Sequence, residues 1–191
     1  TGVPTQTLAP GCWNLLATGI GPSLLPRDDA PFPDNRLSFD HGEVTLTVQL
    51  EMTGVSLAPY PQPDRWWGFT ASAATLDITQ QADFAAWTSG LPAAAVADDG
   101  APQVALVSLP IVLPPVGDSS AACFAVFPLP GAERCDGRIS ILHNNRVLQS
   151  SLLSIDVAAD ATAGGALKLR TEGVIHPRDD DLDERQAYDV A

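Results

Sequence analysis

The sequence predicts an all-β fold, an antiparallel β-sandwich of the immunoglobulin-like or jelly-roll-like kind, and three observations carry that expectation. The first is alternation: in EVTLTVQLEM, Val44, Leu46, Val48, Leu50 and Met52 take turns with Glu43, Thr45, Thr47, Gln49 and Glu51. A period of two over ten residues is a strand with one face in a core. The second is punctuation, because the apolar runs that follow are short and each is bounded by turn chemistry such as DDGAP, PPVGDSS, PGAERCDG or ADATAGG. The third is composition. With 191 residues, 45% apolar and 17% charged, the chain can bury one sizeable core and is too apolar for a disordered one.

Taken in order, residues 1 to 38 carry Pro4, Pro10, Pro22, Pro26, Pro31 and Pro33 among small and polar residues. That proline density excludes long helices and central strands, so the segment reads as a Pro-rich N-terminal extension packing on a sandwich domain of residues 39–191, with CWNLLATGI as one short strand or anchor. EVTLTVQLEM is the first strand of the domain and WWGFTASAATLDI, at 66–78, the next candidate. TQQADFAAWTSG follows, where Phe84 and Trp87 fall three apart on a short helix ended by Gly90. At most one or two such helices are expected. QVALVSLPIVL, ACFAVFPL, RISILH, RVLQSSLLSIDVA and ALKLRTEGVIH complete seven or more strand-like runs.

The charge balance limits the partners. Ten Lys and Arg against 23 Asp and Glu, a net charge of −13, repel phosphate, so nucleic acid is not an expected partner. No apolar run approaches the roughly 20 residues of a membrane span, and the start lacks the basic-then-apolar pattern of a signal peptide. The missing initiator Met suggests a processed chain or a fragment. Three cysteines, Cys12, Cys123 and Cys135, match no metal spacing, and an odd count argues for reduced thiols in a cytoplasmic protein. A Cys123–Cys135 disulfide across a hairpin is the less favoured alternative. No cofactor and no metal are expected.

Four constellations invite a functional reading. In LHNNRVLQ, His143, Asn144, Asn145 and Arg146 suggest a site, but two strand-like runs separated by two asparagines are first a hairpin. Asparagine tolerates the left-handed conformation that a two-residue type I′ turn needs at both central positions. His143 and Arg146 then flank the turn as a structural pair. Tyr60 with Trp66 and Trp67 offers an aromatic platform for a carbohydrate or a peptide. Adjacent residues of a strand point to opposite faces, so only one tryptophan can be core, and the other is exposed or covered by the proline-rich segment. RDDDLDER at 178–185 has Asp179, Asp181 and Asp183 in a calcium-like alternation, yet Glu184 and Val190 stand where a calcium loop needs Gly and Glu, which leaves a solvated acidic loop. DATAGGALK lacks the spacing of a phosphate loop.

GRISILHNNRVLQSSLLSIDV together with DDDLDERQAYDVA resembles, over about residues 125–191, a β-rich accessory domain of bacterial multidomain conflict-system proteins that carry CHAT, or caspase-like, peptidase modules. The resemblance implies a structural or sensing accessory and carries no catalytic residue onto this chain. A peptidase reading of the chain itself would need His41, before Gly42, to act on Cys123. RLSFD is a poor buried strand before His41, and the alternating helices of an α/β peptidase are missing. The reading is therefore a non-enzymatic interaction or structural module of a larger bacterial effector or defence protein, with neighbouring domains or another protein as partner. The alternatives are a carbohydrate- or peptide-binding sandwich using Trp66 or Trp67 and, more remotely, a cysteine peptidase. Finally, RQAYDVA at 185–191 begins strand alternation, and residues 186–191 are expected to dock on the sheet or against another polypeptide, leaving 179–184 in solvent.

Overall fold

The computed structural model describes residues 7–20, 32, 37–39, 42–61, 78–92, 104–158 and 168–172. They form two antiparallel sheets and one helix. The strands are β1 (Asn14–Thr18), β2 (Val44–Thr53), β3 (Val55–Pro59), β4 (Val104–Leu113), β5 (Ala122–Pro128), β6 (Arg134–His143), β7 (Arg146–Asp156) and β8 (Lys168–Glu172), with α1 (Ile78–Thr88) between β3 and β4. Five strands make one sheet in the order β4-β2-β6-β7-β8, and three make the other in the order β1-β5-β3. The all-β expectation holds at this level: two sheets pack face to face around a shared core.

The alternation of β2 becomes the centre of that core. Val44, Leu46, Val48, Leu50 and Met52 are all buried, while Thr45, Thr47 and Glu51 stand on the outer face. Opposite them Phe124 and Val126 of β5, Leu16 of β1 and Val55 of β3 close the space, joined by Ile139, Leu153 and Ile155. Burying a side chain of this size stabilises by about 1.5–3 kcal/mol relative to exposure. A single residue, Gly54, carries the chain from the larger sheet to the smaller. Its φ of 72° is a conformation glycine adopts without a Cβ clash, and its carbonyl accepts from Leu129 N–H.

Two close approaches tighten the larger sheet. Gly137 of β6 faces Met52 of β2, and a Cβ there would lie 2.7 Å from Met52 Cγ and against the Glu51 carbonyl. At the other end, β6 and β7 are joined by Asn144 and Asn145 with φ of 50° and 62°, and His143 pairs with Arg146. This is the two-residue hairpin of left-handed asparagines. A register shift beside Ile141 and Leu142 follows the turn, a bulge that lets Leu148 pack against the core.

Three expectations bear on these elements. CWNLLATGI, expected to be one short strand or anchor, holds β1, which pairs along its length with β5, and Leu8 forms a parallel bridge with Val157, so residues on both sides of position 38 share the sheets. Prolines at 4 and 10 exclude a central strand but not an edge one, and β1 is an edge. The cysteines are thiols, as their odd count suggested, and the alternative Cys123–Cys135 disulfide is not formed. Of the candidate strand at 66–78, only Ile78 is described, and it opens α1. Residues 62–77 otherwise, and 173–191 with the acidic run and the RQAYDVA segment, lie outside the described residues.

Candidate functional site

β5 is buried on both faces, and this decides where a site can form. Ala122, Phe124 and Val126 point into the core between the sheets, so Cys123 and Ala125 must be covered from the other side. α1 provides that cover. Its sequence, ITQQADFAAWT, has neither Gly nor Pro, and Phe84 and Trp87, three apart, share one helical face. Both rings meet Tyr60 edge-on, with centroids 5.2 Å from Phe84 and 5.0 Å from Trp87. Beneath them the sheet presents mostly small side chains, Ala17, Ala58, Cys123 and Ala125 beside Leu15, so three aromatic rings fill the gap that these leave. The described residues therefore form three layers: helix, three-stranded sheet, five-stranded sheet.

The helix ends in a dense set of local bonds. Thr88 Oγ1 donates to the carbonyls of Phe84 (2.9 Å) and Ala85 (3.1 Å), Ser89 Oγ to Ala86 (2.7 Å), and the N–H groups of Ser89, Gly90 and Leu91 return to Ala85, Trp87 and Thr88. Across from this end stands the turn before β1, where Gly11 has φ of 69°. Asn14 organises it: its Oδ1 accepts from Ala9 N–H at 2.8 Å, and its Nδ2 donates to the carbonyls of Ala9 and Cys12, each at 3.0 Å. Trp13 leaves the turn to stack edge-on against Phe127 at 5.4 Å.

Between the helix end and this turn lies an open cavity of about 420 Å³, with Trp13, Phe84, Phe127 and Leu91 as its apolar walls and Cys12, Thr88 and Ser89 at its sides. None of its lining residues is charged, in a chain of net charge −13. Both hydroxyls send their protons back to helix carbonyls and so offer a ligand only lone pairs. The cleft is wide open to solvent, and its uncharged walls suit an apolar group.

The residues singled out from sequence lie elsewhere. Tyr60 is 3% exposed, which corrects its place in an open platform: α1 covers its ring. Trp66, Trp67 and His41 lie outside the described residues. Cys123 is 1% exposed, sealed between α1 and β5, where no peptide bond can reach its sulfur. Cys135 is equally buried, and burial, with help from the Asp136 carboxylate, pushes its thiol up to about 11; its Sγ donates to the Gly54 carbonyl. The Cys135 thiol is therefore protonated at neutral pH. His143 and Arg146 face each other across the hairpin end. Among the described residues, no three His, Cys, Asp or Glu side chains gather to hold a metal ion, and no helix is long and apolar enough to cross a membrane.

Sequence reasoning missed Trp13, Phe84 and Phe127 as a group because they come from three distant segments. A signal was present. ACFAVFP is apolar at both parities, so both of its faces need cover, and the helix at 78–88 is the nearest segment able to supply it. Comparison with family models, with curated proteins and with solved structures gives no match to this chain.

Proposed function

We propose that this chain is a non-enzymatic interaction module, an immunoglobulin-like or jelly-roll-like β-sandwich whose partner is a polypeptide that seats an apolar side chain in the cleft between Trp13 and α1. One observation carries the reading: the cleft is uncharged, aromatic and without a free hydroxyl donor, on a chain that is otherwise strongly acidic. An aliphatic or aromatic side chain gains from such walls, and burying it contributes about 1.5–3 kcal/mol. A sugar, which needs donors and acceptors for each hydroxyl, does not. The apolar polypeptide is therefore preferred to the carbohydrate alternative that Trp66 and Trp67 motivated. The role of a linking or presenting domain in a bacterial effector or defence protein rests on the resemblance of residues 125–191 alone.

The test is direct. Titrating N-acetyl-leucinamide into the isotope-labelled protein should shift the amides of residues 11–13 and 88–91, and Trp13→Ala should abolish the shifts, while methyl-β-glucoside should leave them in place. Saturable binding of the glucoside at these amides, or no response to any capped apolar amino acid, overturns the reading.

A further inference from the structure

We infer that β4 is a self-association edge, along which two copies of this chain pair antiparallel through residues 104–108 and join their five-stranded sheets. The inference starts from Val112, whose N–H donates to Ser120 Oγ and whose carbonyl accepts from Ser120 N–H, each at 2.9 Å. Both polar groups of Val112 thus point away from β2. In an antiparallel ladder this direction alternates residue by residue, so the backbone groups of Val104, Leu106 and Ser108 point the same way. Pro110 fits that parity, since the nitrogen with no proton to give falls on the side away from the β2 ladder. Among the described residues, no strand pairs with this edge of β4.

The side chains repeat the message. Val104 is 54% and Leu106 56% exposed on the outer face. On the inner face Ala105, Val107 and Leu109 are only half-buried, although the equivalent face of β2 next to them is sealed. Edge strands in monomers are ordinarily guarded by lysines, inward charges or bulges. VALVSLPIVL contains no charged residue, and its sole guard, Pro110, stands toward one end.

A second copy is the occupant that this pattern fits. Two molecules of charge −13 repel, and they meet at least cost where neither presents a charge. The strand is also self-complementary. A two-fold axis at Leu106 sets Leu106 against Leu106 of the second copy and Val104 against Ser108, so that each pair exchanges two backbone hydrogen bonds and Pro110 stays outside the paired window. The two Leu106 side chains then cover each other on the outer face.

Sedimentation velocity on the whole chain tests this. A monomer–dimer equilibrium should appear and strengthen with added salt, as screening relieves the like charges. Leu106→Pro removes a donor that β2 does not use, and should weaken the dimer at least tenfold with the far-ultraviolet circular dichroism unchanged. Leu106→Lys should do the same should the proline variant fail to fold, and Val116→Lys, at an 88% exposed residue off the edge, should not. A chain that stays monomeric at every concentration and salt, or a dimer that survives Leu106→Lys, overturns the inference. So does a dimer broken by Trp13→Ala, which would place the contact at the cleft.

Discussion

Gly137 is a residue at which one carbon atom decides the packing of two strands. β6 approaches β2 so closely there that a methyl group would overlap Met52 Cγ and the Glu51 carbonyl, and Met52 is fully buried with nowhere to retreat. Gly137→Ala should therefore destabilise by about 1–3 kcal/mol, the usual cost of overpacking a core, although alanine is the better residue for an unfolded chain to lose entropy from. Urea denaturation at neutral pH would show the midpoint falling, and a midpoint that held or rose would mean that β2 yields at this point. Cysteine positions divide in the same local way. Cys12 is exposed on its turn while Cys123 and Cys135 are buried, so the folded protein should react rapidly with a thiol reagent at Cys12 alone and at all three cysteines after unfolding.

At the level of elements, the hairpin of β6 and β7 sets the register of the larger sheet's right half, and its turn is made by two left-handed asparagines. Asn145→Gly should be neutral or slightly stabilising, because glycine adopts a φ near 62° without a side-chain clash. Asn145→Val should cost roughly 1–2 kcal/mol, because a β-branched side chain tolerates the left-handed region far less well than asparagine does. Thermal unfolding of both variants checks the pair, and a large loss in the glycine variant would reveal a role for the asparagine side chain. This turn was legible in NN between two apolar runs, as β2 was legible in its ten-residue alternation. β1 was legible as a short strand in CWNLLATGI, but its place was not, and only its pairing with β5 shows which sheet it joins. Nor was the switch at Gly54, where one residue of positive φ takes the chain from β2 into the other sheet.

For the whole molecule, the layered arrangement makes the first described residues indispensable. A chain beginning at residue 39 would lack β1, exposing one edge of β5 and removing Leu16 from the core and Trp13 from the cleft. Such a chain should bind a hydrophobic dye and lose cooperative unfolding, and a sharp thermal transition at the parent temperature would show that the fold closes without β1. The cleft itself was hidden from sequence reasoning for the same reason: its walls come together only when β1, α1 and β5 are stacked, and no local pattern records that stacking. Tyr60 looked like a surface aromatic among prolines because the helix that covers it begins well downstream. The pairing of β1 has a further consequence for how the protein is made. Asn14 and its partner Val126 are 112 residues apart, which at ribosomal rates of about 5–20 residues per second means on the order of ten seconds between the emergence of one and the other. Throughout that interval β1 lacks the strand it pairs with, so the smaller sheet cannot close until β5 has been made.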